Sequence, residues 1–306
     1  MSTPPLGISS CWRSAQAESA GELCDLLAAA GLDNIELEYR VTTAVYADLH
    51  PVLKAGGVKV LSIHNPFPLP PKFPRDRASG DLLNLASDDP EERAEAIKLA
   101  VGTLERANNL ETDRVVVHCG YVELEPLGKD WRARFEDGEE DAKEELRRHL
   151  EDRAVRSSAA LDRLKFSLEK ILARAEKLDV KVGLENRDWP REIPDISEMD
   201  DLLGEFDGAP LGFWFDAGHA AKVELYGLCS SMDWLDRYGP RLLGVHLHDA
   251  EGFRDHMPPG RGKLDLKAIL KRVREAGVWI LEIGPDFSKG EVRESIEHIR
   301  ALAKEE

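Results

Sequence analysis

The chain has little cysteine, no long apolar run and no excess of positive charge, and each shortage narrows what it can be. Its four cysteines, Cys11, Cys24, Cys119 and Cys229, are scattered among 306 residues with no CxxC pair. That spacing argues against a disulfide framework and a cysteine zinc site, and suits structural thiols in a reducing cytoplasm. Nothing approaches the roughly 18 consecutive apolar residues that a membrane span needs. The stretch MSTPPLGISSCWRS lacks the basic head and apolar core of a secretion signal, so a cytoplasmic protein is expected. Basic residues number 41 against 58 acidic ones, a formal net charge of −17. Such a field repels a phosphate backbone at long range and disfavours nucleic acid as a partner. A bound cation is welcome in it, and a small substrate is tolerated.

What is present is a repeat of short apolar runs and helical-period segments. Candidate strands are Leu6–Ser10, Asn34–Tyr39, Val58–His64, Arg114–His118, Val180–Glu185, Leu211–Asp216, Leu242–His248 and Val278–Ile283. Helices are expected between them, including Asp89–Asn109, Leu161–Leu178 and a single Ala220–Arg237 helix. Eight strands each followed by a helix predict an α/β chain folded as one (β/α)8 TIM barrel over residues 1–306. An open doubly wound sheet is the alternative, weakened by the lack of a glycine-rich phosphate turn after the first strand. One segment breaks the rhythm. Residues 121–158, with the block EDGEEDAKEELRRHLEDR, are expected to be a charged helical excursion with a solvated face.

The strand ends carry the chemistry. The third ends in His64, the fourth in His118, the fifth in Glu185, the sixth in Asp216 and the seventh in His246, while the eighth reaches Glu282. Active sites of such barrels lie at the carboxyl ends of the strands. A lone Glu there often pairs with an arginine, and a lone His can be a satisfied core residue. Three carboxylates buried together are different, because their burial is very costly without a cation. Glu185, Asp216, His246 and Glu282 are therefore expected to converge on one divalent metal. Mixed carboxylate and imidazole ligation suits Mn, Co, Zn or Fe. Trp214, two residues before Asp216, should fill the barrel interior beneath them.

The stretch GVHLHDAEGFRDHMPPGRGKLD, Gly244 to Asp265, places His246, His248 and His256 within eleven residues, and adds Asp249, Asp255 and Arg261. Taken alone it reads equally as a polar loop. Arg187, just after Glu185, is expected to pair with Asp216 or reach a substrate phosphate, or to form a structural salt bridge. The proline-rich loop Asn65–Pro74 either walls the pocket or, through Phe67 and Phe73, serves a homo-oligomer interface.

The segments SIHNPFP, VVVHCG, GLENR, FDAGHA, VHLHD…DHMPPGRG and LEIGP resemble the xylose-isomerase-like barrels, which include sugar isomerases, ketose epimerases and apurinic-site endonucleases. The resemblance implies that Glu185, Asp216, His246 and Glu282 bind the catalytic metal. It prefers His246 to His248, because the family's ligand lies three residues before an acidic residue, here Asp249. His219 matches a histidine that contacts substrate in epimerases and an additional metal in endonucleases. His64, His118 and His256 resemble the histidines that let endonucleases hold further metals. The pattern departs at Arg254, where those enzymes have an Asp, and at the basic DNA-inserting loops, which have no counterpart here.

Two activities are implied. The first is isomerisation or epimerisation of a small sugar, sugar phosphate or related polyhydroxy carbonyl compound. Glu185 and Glu282 would act as acid and base, and His219, His248 and Arg261 would orient substrate. One metal suffices for this. The second is a multinuclear zinc phosphodiesterase, for which two or three metals are needed.

Overall fold

Strands rich in branched apolar residues, such as KVLSIH and RVVV, alternate with amphipathic helices, and this repeat closes on itself. The computed structural model describes residues 3–305. The barrel strands are β1 (Leu6–Ser9), β2 (Asn34–Leu37), β3 (Lys59–His64), β4 (Arg114–Val117), β5 (Lys181–Glu185), β6 (Leu211–Asp216) and β7 (Leu242–Leu247). A hairpin of β8 (Asp249–Glu251) and β9 (Arg254–Met257) follows, and β10 (Trp279–Leu281) completes the ring. The spatial order is β1-β10-β7-β6-β5-β4-β3-β2, with neighbours parallel. This is the expected (β/α)8 barrel.

Ten α-helices are found among the described residues: α1 (Ala20–Ala30), α2 (Thr43–Lys54), α3 (Pro90–Asn109), α4 (Trp131–Glu136), α5 (Glu140–Leu178), α6 (Ile196–Glu205), α7 (Ala217–Leu225), α8 (Ser231–Tyr238), α9 (Leu266–Arg272) and α10 (Lys289–Lys304). Among the described residues no helix is long and apolar enough to cross a membrane. Capping boxes start three of them, Asp195 with Glu198, Ser230 with Asp233 and Ser288 with Glu291. The single helix expected over Ala220–Arg237 is two. Gly227 takes φ 75° after α7, and the Ser230 capping box restarts the chain as α8.

The barrel interior is layered. Leu61, Val116, Trp214, Val278 and Ile280 form a buried apolar floor. Gly244 and Gly183 are required there by close approach. A Cβ on Gly244 would strike the Trp214 indole, and one on Gly183 would lie 3.1 Å from it. Register shifts opposite Ile35/Glu36 and Phe213/Trp214 leave Leu61 of β3 and Leu243 of β7 unpaired, and both pack into this floor.

The 121–158 excursion is less solvated than its charge suggests. It supplies α4 and the first half of α5, whose 39 residues extend about 58 Å. Trp131 is fully buried, its ring 5.7 Å from Tyr226 and 6.5 Å from Phe253. Ala142, Leu146, His149 and Arg153 make a buried stripe along α5. The run therefore clamps α7 and the β8–β9 hairpin. Phe67, expected at a subunit interface, is instead buried against Tyr46, 5.0 Å between ring centres.

Candidate metal centre

Period-two alternation lifts the next residue on each strand above the apolar floor, and at that level side chains change character. Asp216 follows Trp214, Glu282 follows Ile280 and His118 follows Val116, each two residues on. Glu36, His64, Glu185, Asp216, His246 and Glu282 are all at most 5% exposed.

His246 is the hub. Its Nε2 lies 3.1 Å from both oxygens of Glu36, which in turn accepts from Ser62 Oγ at 2.7 Å. Its Nδ1 faces Glu185 Oε1 at 2.8 Å, Glu282 Oε2 at 3.0 Å and Asp216 Oδ2 at 3.7 Å. Three carboxylates and one ring nitrogen thus share a single small space, stabilised only if a proton or a cation sits among them. Burial opposes charge on His246, yet Glu282, Glu36 and Glu185 outweigh it and hold its pKa well above the usual histidine range. Glu185 and Asp216 are held well below the usual carboxylate range despite burial, by His246 and His118 and by His219 and His248 respectively. The donor set fits a divalent metal. Glu36 has the part of the outer carboxylate that fixes a ligating imidazole. It was missed in the sequence, although the alternation of NIELEY puts it at the end of β2.

The other histidines are oriented in the same manner. His64 donates Nδ1–H to the Asn65 carbonyl at 3.0 Å and turns Nε2 to Glu185, 3.3 Å away. His118 Nδ1 pairs with Asp81 at 2.9 Å, and its Nε2 lies 2.8 Å from Glu185 Oε2. His219 donates Nδ1–H to the Asn186 carbonyl at 3.1 Å. His256 Nδ1 is 3.2 Å from Asp255. Three groups have ligand atoms within 4.8 Å of one another: Glu185, Asp216, His246 and Glu282 in the centre, His64, His118 and Glu185 on one flank, and His219, Asp255 and His256 on the other. Asp255, not the residue at position 254, completes the last group. His248, His256 and Glu282 form a further overlapping set.

Two sequence expectations change here. His248 was expected to touch substrate, but both ring nitrogens are engaged. Nδ1 accepts from the His256 backbone N–H at 2.9 Å, and Nε2 lies 3.0 Å from both Asp216 oxygens. A Cβ on Gly218 would strike this ring, so the glycine is needed for the helix to pass it. Arg261 is not brought to the mouth. It is exposed, with its guanidinium 2.6 Å from Glu294 of α10. The turn around Gly260 and Gly262 instead wraps Asp249, which accepts from the backbone N–H groups of Ala250, Gly260 and Leu264 at 2.9–3.0 Å. Of the readings open for Arg187 the salt bridge is the one formed: it pairs with Glu192 at 3.2 Å and Asp81 at 3.3 Å, and reaches His118 Nε2 at 2.8 Å.

A family model of the xylose isomerase-like TIM barrel matches residues 24–302. The chain belongs to that family. An uncharacterised protein of Methanocaldococcus jannaschii is 26% identical over 198 residues, 64% of this chain and 58% of its own length. The chain thus spans less than two thirds of that curated relative. Among solved structures it is similar to a D-tagatose 3-epimerase-like protein (21% identity, TM-score 0.67, 98% of this chain and 97% of the other). An L-ribulose 3-epimerase matches at 15% identity and TM-score 0.70 over 99% and 95%. A Thermus thermophilus protein, TTHB071, soaked with ZnCl2, matches at 25% identity and TM-score 0.62 over 100% and 99%. The family fold is therefore one shared with sugar epimerases.

Proposed function

We propose that the chain is a divalent-metal-dependent isomerase or epimerase of a small sugar, sugar phosphate or related polyhydroxy carbonyl compound. The central group of Glu185, Asp216, His246 and Glu282 carries this reading. These four residues would hold the metal. When bound there, a divalent ion supplies Lewis-acid polarisation of a substrate carbonyl, which acidifies the adjacent C–H. Glu185 and Glu282 reach the site from strands separated by β6 and β7, so they approach from different sides. One takes the proton from the carbon beside the carbonyl, and the other returns a proton to the opposite face or the neighbouring carbon. His219, buried beside Asp216, would orient a hydroxyl. Beside Glu282, a cleft lined by Cys11, Tyr39, Arg40, His256 and Phe287 offers room for a small polar substrate.

The epimerase names among similar structures support this reading at the level of fold. The test is solvent deuterium exchange, followed by NMR on a panel of ketoses and aldoses with Mn, Co or Zn supplied. Deuterium should enter the carbon next to the carbonyl, and Glu185→Gln should stop it. A panel in which no C–H exchanges under any metal sinks the proposal.

One observation favours a second reading, a multinuclear zinc phosphodiesterase. Each flanking group offers two imidazoles and one carboxylate, a complete tridentate set for a further ion. Hydrolysis of a phosphodiester model compound with two or three bound zinc ions would support it.

A further inference from the structure

The two flanking groups differ from the central one in a way that bears on how many ions the mouth can take. Each flank already contains a fixed positive side chain lodged among its ligands.

On the first flank this is Arg187, 8% exposed. Its Nη1 lies 2.8 Å from His118 Nε2 and 3.8 Å from Glu185 Oε2, the two atoms that an ion shared with His64 would need. The guanidinium is anchored there from behind, through Nη2, by Asp81 and Glu192. On the other flank it is Lys222 of α7, 4% exposed. Its ammonium contacts Asp255 Oδ2, the oxygen that also faces His256 Nδ1, and pairs with Asp188 Oδ2 at 2.8 Å. Asp188 is fixed in turn by Arg132 of α4 at 3.0 Å. Among the described residues, the central group meets a fixed cation only at its edge: Glu185 turns Oε2 toward Arg187 on the first flank, while its Oε1 pairs with His246 and His219, and the ion pairs of Asp216 and Glu282 are with histidines.

A divalent ion entering either flank must displace a buried cation from its carboxylate, or sit a few ångströms from it in a poorly screened interior. Burying an arginine or a lysine so deeply is itself unfavourable unless its partners are already in place, and here each has at least two carboxylates. We infer that Arg187 and Lys222 are resident cations that stand in for the second and third metal ions, so that the native chain binds one divalent ion tightly, in the central group. This rests on the metal reading above and deepens it, because a single ion is what proton transfer needs and is too few for the multinuclear hydrolase.

Metal-free protein is titrated with Zn2+ by equilibrium dialysis and calorimetry, with folding checked by circular dichroism. The expected result is one tight equivalent in the native chain. Lys222→Met and Arg187→Met should each add a second equivalent, tightened at least roughly tenfold over any weak site of the native chain, and the double variant should bind three. Lys222→Arg, which keeps the charge, should still bind one. A native chain that itself binds two or three tight equivalents overturns the inference while leaving the metal reading intact. So does a native chain with one equivalent whose neutral variants gain none. A native chain that binds no ion refutes the metal reading itself. If Lys222→Met fails to fold, Asp188→Asn/Lys222→Met removes opposite charges together and is read in the same way; the native stoichiometry needs no variant at all.

Discussion

Two layers of the same barrel interior, one residue pair apart along the strands, obey opposite rules. The floor of Leu61, Val116, Trp214, Val278 and Ile280 is held by apolar burial and close packing. The layer above it, Glu36, Glu185, Asp216, His246 and Glu282, holds like charges together, and its ion pairs depend on histidine protons. The lower layer stabilises the fold by what it excludes; the upper one is stabilised by what it can bind. His246 joins them, its ring 5.2 Å from that of Trp214.

The largest expected effect belongs to the upper layer. Glu282→Gln should reduce metal affinity by two or more orders of magnitude, and turnover by at least about 10³-fold, roughly 4 kcal/mol of transition-state stabilisation. Its metal-free melting temperature should move far less than that of a floor variant. Dialysis, exchange kinetics and calorimetry read these three quantities. Activity that survives the substitution would remove Glu282 from the chemistry.

Trp214→Ala is the converse. Removing a fully buried indole leaves a large void, and about 3–5 kcal/mol of stability should be lost in denaturant melts. Metal stoichiometry should stay as in the native chain. A variant that melts normally but loses its metal would show that the indole acts on His246 and not on the fold.

The division also explains what could be read beforehand. Strand positions and the four central ligands were legible, because period-two alternation and the carboxyl-end rule apply to each strand independently. Glu36 and Asp81 were not singled out. Each is the partner of a histidine distant in sequence, His246 and His118, and no local pattern marks such pairings. The burial of Trp131 was hidden by the charges around it in sequence. Arg187 was legible as an ion-pairing residue, but its partners Asp81 and Glu192 lie on loops whose course depends on the whole fold. His248 misled because alternation places it on the same face as His246, while the partners of its two nitrogens, the hairpin backbone at His256 and the Asp216 carboxylate of β6, are tertiary features.

Acidity should separate the layers more finely. Burial and Arg187 disfavour charge on His118, but Asp81 and Glu185 push its pKa up to about 9. His256, through Asp255 and Glu282, likewise reaches about 9 against burial. A raised folded-state pKa contributes stability that is complete below the unfolded value near 6.5 and lost as pH climbs through about 9. The metal-free melting temperature should therefore fall between pH 6.5 and 9. A metal in the central group would take the place of the His246 proton and, by occupying Glu185 and Glu282, disfavour those on His118 and His256, so the stabilisation on adding Zn2+ should grow over the same window. Trp214→Ala should keep this slope. A metal-free protein equally stable at both ends would contradict the protonated upper layer.

The smallest effect expected is at Arg261, and it tests whether the upper layer has been bounded correctly. Proximity to His256 in sequence suggests a substrate contact, whereas the guanidinium lies outside on Glu294, both side chains well exposed. Exposed pairs of this kind contribute between nothing and about 1 kcal/mol. Arg261→Ala should therefore leave KM and turnover within about twofold of native, and stability within about 0.5 kcal/mol. A several-fold rise in KM, with turnover unchanged, would mean that the loop around Asp249 swings the arginine inward when substrate binds. The mouth would then extend beyond the strand ends to the backbone that Asp249 organises.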